Sequence, residues 1–265
     1  MKRDTLFWGS ILILAGILLM LDNLGIIAVN VWSLLWPLFL IALGLWTLWG
    51  VFFGRQSNEV EKVTIPLEGA GQARVRIHHG AGRLRVGAGA GPGELVTGTF
   101  GGGVDRRVRR DGETLDVKMS MQSHSFVMPW TWGAGGAFDW SLSLNGEIPL
   151  ELACETGASD TRLDLSGLRV TDLRVETGAS ATDVTLPANA GHTRARIEAG
   201  AASVTVRVPA GVAARIRTGG GLAAISVDRN RFPREGGVYR SSDYDTASNK
   251  VDLHIETGVG SIDVQ

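Results

Sequence analysis

One cysteine and five histidines are all that this chain of 265 residues offers to a thiolate or imidazole site. Cys154 stands alone, so neither an intrachain disulfide nor a Cys-x-x-Cys metal or redox pair can form. It falls in the apolar alternation Leu150, Leu152, Cys154, which reads as a small buried core residue rather than a reactive nucleophile. The histidines are scattered. The adjacent pair His78-His79 would point to opposite faces of a strand and cannot chelate one ion together. The formal charge is −1, so nothing marks a nucleic-acid or other polyanion partner.

Glycine is plentiful, at 36 residues, but no glycine run makes a phosphate loop. None is followed by Lys-Ser or Lys-Thr, and none fits Gly-x-Gly-x-x-Gly ahead of a helix. Gly157-Ala158-Ser159-Asp160 lacks the second glycine of a nucleophile elbow. Carboxylates are numerous, but the pattern gathers none of them into a pocket. The expectation is a non-enzymatic chain with no catalytic residue, no cofactor and no resident metal.

Long apolar runs are present, and they come first. Leu6 to about Ile27 and Val31 to Phe53 are each long enough to cross a hydrocarbon core, which takes about 20 residues. Neither run has a polar face, which excludes a soluble amphipathic helix. No small-x-small cleavage site follows the first run, and the second begins at once, which argues against a signal peptide. The reading is a transmembrane helical hairpin over residues 1–56, with helices at about 6–27 and 31–53. Trp8, Trp32, Trp36, Trp46 and Trp49 lie near helix ends, as interfacial aromatics do. Gly9, Gly16 and Gly44 would let another helix approach closely. Asp22 and Asn23 form a candidate polar site at a helix end; Asp22 is read as a headgroup-level cap rather than a functional intramembrane acid. Lys2, Arg3, Arg55 and Lys62 flank the hairpin, whereas its inner loop has no Lys or Arg. The positive-inside rule then places both termini and the following domain in the cytoplasm.

Residues 57–265 read as one all-β, solenoid-like domain. Glu155-Thr-Gly-Ala-Ser159 recurs as Glu176-Thr-Gly-Ala-Ser180, with variants at Glu198–Ser203, Arg217–Gly221 and Glu256–Ser261. A weaker early copy is His79–Gly82. Copies between 155 and 217 recur about every 20 residues, a solenoid period. The step from 217 to 256 holds an insertion, Arg229 to Ser248. Residues alternate on both sides of each turn, as in half-buried strands. The turn glycine supplies either a positive-φ corner or room for close approach. Stacking would put Glu155, Glu176 and Glu198 in one row, with Arg174, Arg196 and Arg215 beside it. A divalent cation on that row is disfavoured by those arginines. Upstream, strands are expected at Ala73–Ile77, Arg83–Val86, Glu94–Phe100, Thr114–Met119 and Phe138–Leu144.

The segment Ser125–Trp140 is dense in apolar mass. Two readings stand. It caps the β stack, or Phe126, Trp130, Trp132 and Trp140 form an exposed contact for a partner protein or the bilayer.

Two stretches carry a family resemblance. Leu18-Leu-Met-Leu-Asp-Asn-Leu-Gly-Ile-Ile27 with Trp36-Pro-Leu-Phe-Leu-Ile-Ala-Leu-Gly-Leu45 resembles the paired-helix region of LiaI/LiaF-type bacterial membrane proteins. Arg76-Ile-His-His-Gly-Ala-Gly-Arg-Leu-Arg-Val86 and the repeated Thr-Gly-Ala-Ser turns resemble the toast-rack β domain that follows such helices. The resemblance implies a bacterial inner-membrane protein of the cell-envelope stress response, LiaF-like in restraining a two-component sensor kinase. It transfers no catalytic residue. Implied partners are the lipid bilayer and a membrane sensor kinase or other membrane protein. The alternative is an adhesin-like β-solenoid scaffold, anchored in the membrane, that self-associates through its edges or polar rows.

Overall fold

The computed structural model describes residues 60–122 and 138–265, together with Trp36, Pro37, Leu40, Ile41 and Gly44. The chain divides into two compact units, Met1–Gln56 and Ser57–Gln265. The five described residues of the first unit are helical. The rest of the expected hairpin, with Asp22 and Asn23, lies outside the described residues. No helix among the described residues is long and apolar enough to cross a membrane.

The second unit is built on a 13-stranded sheet. Its strands are β1 (Val60–Pro66), β2 (Gln72–Ala88), β3 (Glu94–Gly101), β4 (Val104–Asp111), β5 (Thr114–Met121), β6 (Trp140–Leu144), β7 (Pro149–Asp164), β8 (Arg169–Thr185), β9 (His192–Arg207), β10 (Ala213–Val227), β11 (Arg234–Glu235), β12 (Val238–Arg240) and β13 (Lys250–Val264). The long strands lie in the order β2-β7-β8-β9-β13-β10, all paired in parallel.

These long strands are coils rather than straight rods. β7 has 16 residues and would span about 50 Å if straight. Yet Pro149 at its start pairs with Arg169 at the start of β8, and only the link Leu165–Leu168 joins them. A link that short reaches roughly 17 Å, so β7 must fold back on itself. The ladder passes from Thr156↔Thr177 to Ala158↔Ala179, leaving Gly157 and Gly178 unpaired at the corner. Each coil therefore has two arms joined at a glycine, and the core fills the space between them.

The period-two pattern of each arm explains the filling. Val75, Leu152, Leu173, Ala195, Leu253 and Ile216 form one interior row across the first arms. Val86, Leu163, Val184, Val206, Val264 and Val227 form another across the second arms. All are buried. A buried Val, Leu or Ile side chain contributes about 1.5–3 kcal/mol, and no single coil could bury its own face.

The corner glycines act through close approach. A Cβ on Gly178 would sit 3.0 Å from the Gly157 carbonyl oxygen, one on Gly200 2.9 Å from that of Gly178, and one on Gly258 2.8 Å from that of Gly200. None of these three has a positive φ; Gly260, two residues beyond Gly258, does, at 135°.

Three departures from the sequence reading have local causes. The segments Ala73–Ile77 and Arg83–Val86 are the two arms of one bent strand, β2. β1 and β4 are additional strands; β4 runs Val-Asp-Arg-Arg-Val-Arg-Arg-Asp, and its charges mask any alternation. β13 enters between β9 and β10, because the insertion after β10 lets the last strand cross over. At the β2 end, β5 pairs with the first arm and β6 with the second, and β3 and β1 extend the sheet from β6.

Candidate functional site

The glycine corners stack into a groove that runs along the coils. Its volume is about 1060 Å³. Glu155, Glu176, Glu198 and Glu256 line it, with Thr156, Thr177 and Thr257 beside them and the glycines as floor. The four carboxylates are in direct register, Glu155↔Glu176↔Glu198↔Glu256, one rung or about 4.8 Å apart. His78 and His79 stand at one end and Gly219–Gly221 at the other. The fourth glutamate comes from β13. Its motif Glu256-Thr-Gly matches the earlier copies better than Arg217-Thr-Gly does, and that signal in the sequence could have revealed the strand order.

Like charges at this spacing repel, and arginines on the same strands offset them, while histidines hydrogen-bond or lie beside the end members. Arg174 Nε donates to Glu176 Oε1 at 2.6 Å, Arg196 lies 3.9 Å from Glu198, His254 is 2.7 Å from Glu256 and His78 is 2.7 Å from Glu155. The Glu176 hydrogen bond and charge raise the Arg174 pKa. The expected arginine row needs one correction. Arg174 and Arg196 do flank the glutamates, but the β10 member of that row is Arg217, in register with His254. Arg215 lies one row further out, opposite Asp252.

Asp252 is the centre of a second polar cluster. It accepts from Arg215 Nε at 2.6 Å and Tyr244 Oη at 2.7 Å, and it meets His192 Nε2 at 2.8 Å. Burial pushes its pKa up, but the hydrogen bonds from Arg215, Tyr244 and His192 together outweigh burial and hold it below the usual carboxylate range. Burial and the Asp252 hydrogen bond push the Tyr244 hydroxyl up to about 12. The cluster ties the Arg229–Ser248 insertion to β13 and β10.

Trp140 is not a surface contact. It is buried in β6, where its Nε1 donates to the Gly101 carbonyl at 3.2 Å. Phe100 packs edge-on at 5.0 Å and His79 lies against it at 5.2 Å. The physical reason is its phase: Trp140, Leu142 and Leu144 alternate inward on one strand. Phe126, Trp130 and Trp132 lie outside the described residues.

His79 donates from Nε2 to the Phe138 carbonyl at 2.9 Å, and its buried Nδ1 has no partner among the described residues. Burial pushes its pKa down, against the Phe138 carbonyl and the Asp139 charge. Cys154 is buried, and burial pushes its thiol up to about 12, far from a working nucleophile at neutral pH. Among the described residues, no group of three or more His, Cys, Asp or Glu is placed to hold a metal ion.

Residues 54–207 match the family described as the N-terminal domain of toast_rack. Residues 6–48 match the LiaI-LiaF-like transmembrane region. The fold is shared with the crystal structure of a candidate cell adhesion protein from Clostridium sporogenes, at a TM-score of 0.70 and 22% sequence identity. That likeness covers 78% of this chain and 98% of the clostridial one, and at such identity it is a likeness of fold. No curated protein matches the chain.

Proposed function

The chain belongs to the toast-rack family, with a LiaI-LiaF-like transmembrane region ahead of its β domain, and from that premise we propose a membrane-anchored regulatory protein whose β domain is a non-catalytic docking surface. Its role is to modulate a two-component sensor kinase in the cell-envelope stress response. The observation that carries this reading is the register-locked row Glu155, Glu176, Glu198 and Glu256 along an open groove. Carboxylates at one-rung spacing on a rigid glycine floor suit an extended basic segment of a membrane partner. Confinement of both proteins to one bilayer raises their effective concentration, so a modest contact suffices. The non-enzymatic reading is supported by the buried Cys154 thiol and by the arginines beside the groove carboxylates Glu176 and Glu198.

The test is Glu176→Gln with Glu198→Gln in the full chain in its native membrane. Exposed ion pairs contribute at most about 1 kcal/mol each, so the fold survives. Kinase co-purification and stress-reporter control should both be lost. Retention of both would refute the groove as the docking site. We place the β domain in the cytoplasm, from the flanking basic residues. Alkaline phosphatase fused after Gln265 should therefore be inactive, and an active fusion contradicts the placement.

A second reading, a membrane-anchored scaffold, draws on the fold shared with the clostridial candidate adhesion protein and on a strand edge that is open, among the described residues, at one end of the stack. Crosslinking that captures only copies of this chain favours it.

A further inference from the structure

The two arms of β10 end the stack differently. The first arm is covered: Arg215 and Ile216 pair with Arg240 and Tyr239 of β12, and Ala214 exchanges hydrogen bonds with Ser241. Ile216 is accordingly fully buried. The second arm, Leu222–Val227, pairs only with β13, so its other edge is open among the described residues.

The open edge interrupts a core row. Leu84, Thr161, Thr182, Val204 and Ile262 are all buried, and Ile225 is the next member in register. Ile225 is 40% exposed. Leu222 and its partner Val259 on β13, 81% and 53% exposed, end an outward corner row whose other members Ala158, Ala179 and Ala201 are exposed too. One interior row thus reaches the surface at Ile225, next to a strand edge that is unpaired among the described residues.

Free edges are normally blunted by charge, proline, bulges or a covering element. β4, a free edge on the β5 side among the described residues, follows that rule, with Arg106, Arg107, Arg109 and Arg110 all exposed. The β10 edge does not. From Thr218 to Val227 it carries no charged residue and no proline.

We infer that the second arm of β10 is the seat of a second copy of this chain, joined edge to edge in antiparallel pairing about a two-fold axis. Self-complementarity is what selects a second copy. An uncharged edge meets itself without like-charge contact, whereas two β4 edges would bring arginine rows together. Pairing β10 of one copy with β4 of the next would set arginines against Ile225 and the interior row behind it, so the assembly closes as a dimer and does not grow into a filament. A two-fold axis perpendicular to the sheet keeps interior faces on the same side. Centred on Ile225, it sets Ile225 against Ile225 and Ala223 against Val227, continuing the interior rows across the joint. An edge of this length falls short of the roughly 1,000 Å² that free partners need, and shared membrane anchorage makes up the difference. The inference does not depend on which partner the glutamate groove takes.

Ile225→Cys in the full chain, oxidised in native membranes with copper phenanthroline, tests it. The expected product is a disulfide-linked dimer. Val108→Cys on β4, a site of similar exposure, should give none, and Cys154 is too buried to compete. Failure of Ile225→Cys to link, or equal linking through Val108→Cys, overturns the proposal. In native membranes, Ile225→Arg should lower the yield of amine-crosslinked dimer at least tenfold, while the far-ultraviolet spectrum of the purified variant stays β-rich. A dimer that survives Ile225→Arg is held elsewhere and also overturns it.

Discussion

A Cβ placed on Gly157 would lie 2.3 Å from the carbonyl oxygen of Gly80 on the neighbouring coil. That oxygen belongs to backbone, and it cannot move without opening the β2–β7 ladder. Gly157→Ala is therefore expected to destabilise the domain by about 1–3 kcal/mol, the usual cost of overpacking. Gly219→Ala is the control, since its nearest contact is the flexible Glu256 side chain at 3.4 Å. Urea unfolding of the two variants should separate them clearly.

Asp252 binds the insertion to the stack through charged hydrogen bonds, each worth about 1.5–3 kcal/mol. Asp252→Asn should lower stability at pH 7 by about 2 kcal/mol. Its folded pKa is depressed, so its contribution is complete above the unfolded value of about 3.9 and is lost as pH falls through the folded value. Acid unfolding below pH 4 should be less steep in the variant than in the parent, as followed by circular dichroism.

His79 works in the pH range above that. Burial favours its neutral form, so the folded state resists a proton that the unfolded chain accepts below about pH 6.5. Stability from this group is whole above that pH and declines as pH drops toward the folded pKa. His79→Phe, which keeps a ring against Trp140, should flatten the stability profile between pH 7 and 5. An unchanged slope would assign the effect to another group.

Trp140 fills the joint between β6, β3 and β2. Trp140→Ala should cost about 3–5 kcal/mol, as for other buried aromatic truncations. Thermal melts of the full chain would measure it.

Much of this was legible in the residues. The Glu-Thr-Gly-Ala-Ser copies fixed the coil period, because each coil must place its small corner residues over the last. The bilayer segment was legible from length and apolarity alone. The strand order was not, since nothing in chain order tells β13 to enter between β9 and β10; only the match of Glu256 to Glu198 hints at it. β4 escaped because an edge strand guarded by arginines loses the alternation that betrays a strand. Trp140 was grouped with Trp130 and Trp132 by proximity, although its phase with Leu142 and Leu144 assigns it to the core. Arg215 was set in the wrong row because register across a crossover is decided by pairing, not by distance from a motif.

The docking role of the glutamate groove is tested most directly by a photocrosslinking amino acid at position 198, in the full chain in native membranes, with captured peptides identified by mass spectrometry. The account predicts a link to a basic segment of a membrane-bound sensor kinase. Capture of this chain alone, or of no protein at all, would contradict it.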